Sequence, residues 1–490
     1  MAGLTNYNKD DFEAVIGLET HVELSTKTKM FCGCKLSFGE KPNKYTCPVC
    51  LGHPGSLPVV NKRAVEYTIK IALALNCKIN SYTVFHRKNY FYPDMPKNYQ
   101  ISQYDLPVGT EGYVDVNMGS YVRRVGIMRV HMEEDTGKLI HGGLTGRISE
   151  AEYSIVDFNR AGTPLIEIVT KPDLKNSEEA KQYLITLRNI ILFLGVSDCN
   201  MEEGSLRCDA NVSVKLNSSD KLGTRTEVKN LNSFKFLQKA LEYEISRQID
   251  LIMSDKKVLQ QTRHYDSRTQ TTKALRTKEE AHDYRYFPDP DLVPIKIKDE
   301  LIKKIKKTIP ELPIEKERRY RKIYGLSDYD SQFMANDFEI SYYFEEVISF
   351  HNNAKAACNW IMGDFSSFLN KDQITIRQSK IKAEALANLI KMIDEGEIST
   401  KIAKTVFEEM YDTGEDPKTI VNKKGLKQIN NLDELEKIVV EIIEKNQNVV
   451  SQFKSGKTKA VGFLVGQVMA KTQGKANPQI VNELILKKLS

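Results

Sequence analysis

The sequence predicts an α+β fold: a mixed region of strands and helices over residues 1–293, a helical domain over 294–410 and a helical tail over 411–490. Two observations predict it. From residue 12 to about 230, short alternating runs are separated by Gly, Pro and Asn, as strands joined by turns require. After the turn-rich stretch FPDPDLVP at Phe287–Pro294, the pattern becomes helical and rich in Lys, Glu, Ile and Leu, with a weaker break in YDTGEDP at Tyr411–Pro417.

Taken in order, Ala14–Leu24 reads as a strand, with Leu18, Thr20, Val22 and Leu24 on one face and Glu19, His21 and Glu23 on the other. Leu206–Val214 alternates Leu206, Cys208, Ala210, Val212 and Val214 against Arg207, Asp209, Asn211 and Ser213. Two helices interrupt this region. One is expected to start at Ser177, whose hydroxyl can cap it, with Glu178 and Glu179 at its positive end and Gly195 as its stop. The other starts at Ser233 and carries Phe234, Leu237, Leu241, Ile245 and Ile249 at helical spacing.

The chain is 490 residues long, too many for one core. Hydrophobic residues at 41% and charged residues at 28% indicate a soluble globular protein. The net charge of +6 suits a local nucleic-acid surface better than a polyanion-coating protein. No apolar run is long enough to span a bilayer, and the opening residues, with Asp10, Asp11 and Glu13, lack the charged and apolar regions of a secretory signal. A cytoplasmic protein is therefore expected, with its eight Cys reduced or metal-bound.

Cys32, Cys34, Cys47 and Cys50 form C-x-C-x12-C-x2-C. Two close pairs of thiolates suit a closed tetrahedral Zn²⁺ site of structural type. Cys77, Cys199, Cys208 and Cys358 are scattered and expected to pack as small apolar residues.

Three segments place acids where they are costly: GLETHVEL with Glu19 and His21, HMEEDTGK with His131, Glu133, Glu134 and Asp135, and TPLIEIVTKPD with Glu167 inside an apolar run. A carboxylate flanked by Leu165, Ile166, Ile168 and Val169 needs a cation or donor to meet it. Oxygen ligands with one imidazole suit Mg²⁺ or Mn²⁺ better than zinc, although each acid alone also reads as salt-bridged or solvated. The chain has no Walker-type phosphate loop and no GxGxxG after a strand, so any nucleotide site is of another kind. Arg87, Lys88 and Arg160 are the basic candidates to meet phosphate. There is no amidase-type serine cluster and no glutaminase context of Cys and His; the chain is not expected to release ammonia from glutamine.

From Lys445 to Ser490 there are eight Lys and one acid, Glu483. With Phe463, Leu464, Val468 and Met469 packing the helix, Lys454, Lys457, Lys459, Lys471 and Lys475 would face outward, toward phosphates or simply solvent. Phe85, Tyr90, Phe91, Tyr92, Tyr99 and Tyr104 lie beside Lys88 and Lys97, where they can stack nucleotide bases or form core.

GLETHVEL, PVVNKRAVE, RKNYFYPDMPKNYQISQYD, VHMEEDTGK, DFNRAGTPLIEIV, MEEGSLRCDANVSV, EVKNLNSF and DYRYFPDPDLVP occur in this order. Together with TIPELP and KAVGFLVGQVMAKTQGKANPQIVN, they make the chain resemble the B-subunit family of the bacterial aspartyl/glutamyl-tRNA amidotransferases (GatB of GatCAB). The resemblance implies a cradle around a mostly antiparallel sheet, a helical domain and a YqeY-like tail that contacts tRNA. It implies a carbon–nitrogen ligase that uses ATP to convert Glu-tRNA(Gln) or Asp-tRNA(Asn) to the amide through an acyl phosphate. Ammonia would come from an amidase subunit (GatA), in a heterotrimer with a small subunit (GatC). It also implies a catalytic group of Glu19, His21, Glu133, Glu134 and Glu167. In that group His21, Glu134 and Glu167 hold Mg²⁺, and Glu19 and Glu133 are supporting or alternative ligands. A passive RNA-binding protein and a metal-dependent hydrolase are the rival readings, and gathered acids argue against the first.

Overall fold

The computed structural model describes residues 8–142, 151–277, 284–427, 432–454, 460–472 and 475–489. It divides into two compact units, Met1–Pro313 and Ile314–Ser490.

The first unit is organised by a nine-stranded sheet. Its strands are β1 (Phe12–Glu23), β2 (Lys78–Ile79), β3 (Gly109–Asn117), β4 (Val122–Glu134), β5 (Pro164–Thr170), β6 (Leu206–Leu216), β7 (Thr226–Lys229), β8 (Gln261–Asp266) and β9 (Thr271–Thr277). Their spatial order is β9-β8-β7-β6-β1-β5-β4-β3-β2. Every pairing is antiparallel except β7 with β8. The long strand β1 lies at the centre, and its strict alternation assigns its two faces. Ile16, Leu18, Thr20 and Val22 are buried in the core. Gly17, Glu19, His21 and Glu23 point the other way.

Three helices belong to this core: α1 (Lys62–Ala74), α2 (Ser177–Leu194) and α3 (Phe234–Met253). Sequence patterning did not single out α1, although Asn61 caps it by accepting from the amides of Arg63 and Ala64. Helix α2 is capped by Asn176, not by the Ser177 hydroxyl: the Asn176 side chain accepts from the Glu179 amide. Gly195 ends the helix at φ 64°, a left-handed conformation that favours glycine. Ser233 caps α3 as expected. The helix Asp299–Lys306 also packs on this core through Ile305, so the helical character that sets in after Pro294 begins before the first unit ends.

The second unit is helical and holds two cores. One gathers residues from Tyr320 to Val421, including Trp360, Phe365 and Phe407. The other runs from Leu435 to Leu489 through Val439, Leu464, Val468 and Val481. Because Ile420 and Val421 are fully buried in the earlier core, a tail deletion starting at residue 411 would damage it. No described helix is long and apolar enough to cross a membrane.

Candidate functional site

The face of the sheet opposite the helical core builds a grid of charged side chains. Strand register fixes its rows. Arg207 on β6 pairs with His21 on β1, His21 with Glu167 on β5, and Glu167 with His131 on β4. One row along, Asp209 pairs with Glu19, Glu19 with Val169, and Val169 with Arg129. In the other direction, Leu165 is the partner of both Glu23 and Glu133. Paired residues share a face, so segments more than a hundred residues apart in sequence meet in one place.

The contacts follow. His21 Nε2 lies 3.5 Å from Glu167 Oε2, 3.7 Å from Glu133 Oε1 and 3.9 Å from Glu19 Oε1. His131 Nε2 lies 3.6 Å from Glu167 Oε2 and 3.9 Å from Glu133 Oε2. Arg129 holds the other Glu167 oxygen at 3.2 Å, and the Ser102 hydroxyl donates to Glu133 at 3.2 Å. His131, Glu133 and Glu167 are buried. Burial opposes charge on His21, but the hydrogen bond with Glu167 and the charges of Glu167, Glu133 and Glu19 outweigh it and raise the imidazolium to about 9. Burial and the nearby Glu167 raise Glu19 to about 7. Burial dominates at His131 and lowers it to about 4. Its Nδ1 is buried without a hydrogen-bond partner among the described residues.

His21, Glu133 and Glu167 each offer a ligand atom, and these atoms lie within 4.8 Å of one another. Two carboxylates and an imidazole, with the second buried histidine His131 beside them, suit a hard divalent cation. Binding it would displace the His21 proton. His21 is also shared with a second group, Glu19 and Asp209; there Lys229 Nζ sits 2.8 Å from Asp209.

Glu19, His131, Glu133 and Glu167 of the grid line a cleft of about 1010 Å³, whose lining also includes Lys88, Arg129, Arg225 and Lys229. Tyr104, Tyr284 and Tyr286 stand on its wall. Lys88 Nζ lies 5.0 Å over the Tyr284 ring. Burial opposes its charge, but Glu133, Tyr286 and Glu167 overcome this and raise its pKa.

Several expected residues fall elsewhere. Glu134, expected among the magnesium ligands, stands apart. It follows Glu133 on β4, so the pleat turns it to the opposite face. There it is ion-paired with Lys97 and accepts the Ile101 amide at 2.9 Å, beside a separate cavity of about 50 Å³ that Cys50 and Gly52 also line. Of the phosphate candidates, only Lys88 lines the cleft. Arg87 alternates away and is tied to Asp289 at 2.8 Å and Asp291 at 2.9 Å. Arg160 donates to the carbonyls of Thr136 and Gly137. His131, noted in the sequence beside Glu133 but assigned no role, joins the site, as do Arg129 and Lys229, which the sequence did not single out. The alternation His131–Glu133 along β4 was the available signal for the first.

The four cysteines converge: the Sγ atoms of Cys32, Cys34, Cys47 and Cys50 lie within 4.8 Å of one another. A hydrogen bond from Cys32, opposed by burial and helped by the Cys47 amide and Lys29, lowers the Cys50 thiol to about 4. Lys29 Nζ is 3.5 Å from Cys50 Sγ. A set of four thiols with one already favoured as thiolate fits a tetrahedral metal. Gly52, at φ 68°, packs so closely on Lys97 that a Cβ there would collide with it. Gly52→Ala should therefore destabilise the protein by about 2 kcal/mol or more, from left-handed strain and overpacking; thermal denaturation checks this. Cys77, Cys199, Cys208 and Cys358 are all buried, and among the aromatics Phe85 is core while Phe91 is exposed.

In the tail, Leu464 and Val468 are buried as expected, but Phe463 is half exposed. Lys445 and Lys471 pair with Glu441, and Lys488 with Glu436, acids that lie just before the basic stretch Lys445–Ser490. Lys457, Lys459, Gly456 and Gly474 lie outside the described residues.

Comparison with known proteins agrees with this architecture. Residues 14–303 match the family described as the GatB/GatE catalytic domain, and residues 342–489 match the GatB domain. The chain is 52% identical over 480 residues to the B subunit of the aspartyl/glutamyl-tRNA(Asn/Gln) amidotransferase of Carboxydothermus hydrogenoformans, covering 98% of this chain and 99% of that one. It is 51% identical to the proteins of the same name from Geotalea daltonii, over 98% of this chain and 99% of that one, and Persephonella marina, over 97% and 99%. With both domains matched and half of all positions identical across nearly the full length, the chain belongs to the B-subunit family of the aspartyl/glutamyl-tRNA(Asn/Gln) amidotransferases.

Proposed function

We propose that the chain carries out ATP-dependent transamidation of Glu-tRNA(Gln), Asp-tRNA(Asn) or both, through an acyl phosphate. Ammonia comes from glutamine hydrolysed by an amidase subunit (GatA), in a heterotrimer completed by a small subunit (GatC). The observation that carries this reading is the row His21–Glu167–His131, flanked by Glu19 and Glu133, of which Glu19, His131, Glu133 and Glu167 line a cleft that Lys88, Arg129 and Lys229 also line.

The chemistry explains the residue types. A carboxylate is a poor electrophile, because its charge repels a nucleophile and oxide does not leave. Transfer of the γ-phosphoryl group of ATP to one carboxylate oxygen releases ADP. Ammonia then attacks the carbonyl carbon, and phosphate departs with that oxygen. His21, Glu133 and Glu167, with Glu19 beside them, would hold Mg²⁺, which when bound offsets the repulsion between substrate carboxylate and phosphates. Lys88, Arg129 and Lys229 face the same cleft and attract the anionic substrates. Cys32, Cys34, Cys47 and Cys50 would hold a structural Zn²⁺ that takes no part in the reaction.

Oxygen labelling tests the acyl phosphate. With ¹⁸O in the side-chain carboxylate of Glu-tRNA, the assembled enzyme should yield phosphate carrying one labelled oxygen per amide formed; unlabelled phosphate contradicts the reading. The isolated chain should use ammonium salts but not glutamine, and glutamine-dependent amidation by it alone counts against a separate ammonia source. The tail is proposed to contact tRNA. Deleting residues 432–490, which spares Ile420 and Val421, should weaken tRNA binding and flatten its salt dependence. Unchanged affinity in a salt titration contradicts that role.

A further inference from the structure

The cleft has an aromatic wall that the transfer chemistry does not use. Tyr104 and Tyr286 stack with ring centroids 4.4 Å apart and planes 12° from parallel. Tyr284 meets Tyr286 edge-on at 6.1 Å, and Tyr90 meets Tyr284 edge-on at 6.5 Å. His86, which is buried, braces Tyr104 edge-on at 6.3 Å. Tyr104 nevertheless keeps 47% of its surface exposed. Tyr104 comes from a chain segment far in sequence from the one that carries both Tyr284 and Tyr286, and all three line the cleft that holds the carboxylate grid.

A tyrosine held flat by a second ring and still about half exposed is ready to take a third planar ring. Lys88 stands between this wall and the acids. It lies over the Tyr284 ring at 5.0 Å and feels the charges of Glu133 and Glu167. Aromatic wall, ammonium and carboxylate grid thus follow in the order of a base, an anionic or ester linkage, and a reacting group.

We propose that Tyr104, backed by Tyr286, is a stacking platform for the adenine base of an adenosine-bearing substrate. This deepens the transamidase reading and rests on it. Both substrates carry that chemistry: ATP, and the 3′-terminal adenosine that bears the esterified amino acid. Tyr104 is a binding residue whose face fixes the base, and Lys88 spans the distance to the floor.

Steady-state kinetics of the assembled enzyme with ammonium chloride test this. Tyr104→Leu keeps apolar bulk but removes the ring, and Tyr104→Phe keeps the ring. Tyr104→Leu should raise one KM about tenfold, while Tyr104→Phe stays within twofold of wild type. A rise confined to the KM for ATP assigns the platform to the nucleotide; a rise confined to the KM for Glu-tRNA assigns it to the tRNA end. Both KM values within twofold of wild type in Tyr104→Leu, or equal defects in the Leu and Phe variants, overturn the proposal. If Tyr104→Leu does not fold, Tyr286→Leu against Tyr286→Phe provides the same comparison. Glu167→Gln separates the two levels: if it abolishes amidation while Tyr104→Leu is silent, only the platform fails.

Discussion

Glu167→Gln is expected to lower the rate of amide formation by the assembled enzyme on the order of a hundred- to a thousandfold. The substitution keeps the shape of the side chain and removes its charge. Glu167 approaches both histidines more closely than Glu133 does, at 3.5 Å from His21 and 3.6 Å from His131, while Arg129 holds its second oxygen. Hydrogen bonding to and charge from Glu167 also help keep His21 protonated. An amide there cannot neutralise a cation and cannot orient both rings. Amidation of Glu-tRNA with saturating ATP and ammonium chloride gives the readout, and a variant within threefold of wild type would mean that Glu167 takes no part in the reaction.

The second large effect is expected on removing metal from the four cysteines. Structural zinc contributes roughly 10–16 kcal/mol of apparent binding energy in small peptides, and in a chain this size its loss should melt the segment it ties rather than the whole sheet. The consequence should spread one step. Gly52 packs against Lys97, which pairs with Glu134. Stripped protein should therefore lose several degrees of thermal stability and become open to proteolysis within residues 32–56. One equivalent of Zn²⁺ should restore both properties. Cys50→Ser should behave as stripped protein and resist rescue. Protein prepared without chelator that contains no zinc, and melts as it does after chelation, contradicts the assignment.

The sequence carries the candidate site unevenly, for physical reasons. Strand β1 is legible because its apolar alternation is complete, so spacing alone places Glu19 and His21 on one face. On β4 that signal breaks down: His131, Met132, Glu133, Glu134 and Asp135 are all buried, and an acid on either face satisfies the local pattern. Glu134 as a ligand conflicts with the pleat, which sets Glu133 with His131. The ion pairs that decide the fate of the other candidates are non-local. Lys97 and Glu134 are 37 positions apart, and Arg87 and Asp289 are 202 apart; no sequence window contains the second pair. Helix α1 is hard to read because its apolar face, with Ile69 and Ile71, is rich in residues that also suit strands. The tail looks barer in sequence than it is, since Glu436 and Glu441 sit just upstream of the lysines they neutralise.

One face of the sheet is proposed to gather a divalent cation through His21, Glu133 and Glu167, with Glu134 outside the ligand set. Mn²⁺ binding followed by electron paramagnetic resonance, with Mg²⁺ competition, measures this without turnover. The expected result is an Mn²⁺ site emptied by Mg²⁺ in the wild type, weakened at least tenfold in Glu167→Gln and Glu133→Gln, and retained in Glu134→Gln. Loss in Glu134→Gln with retention in the other two would contradict it.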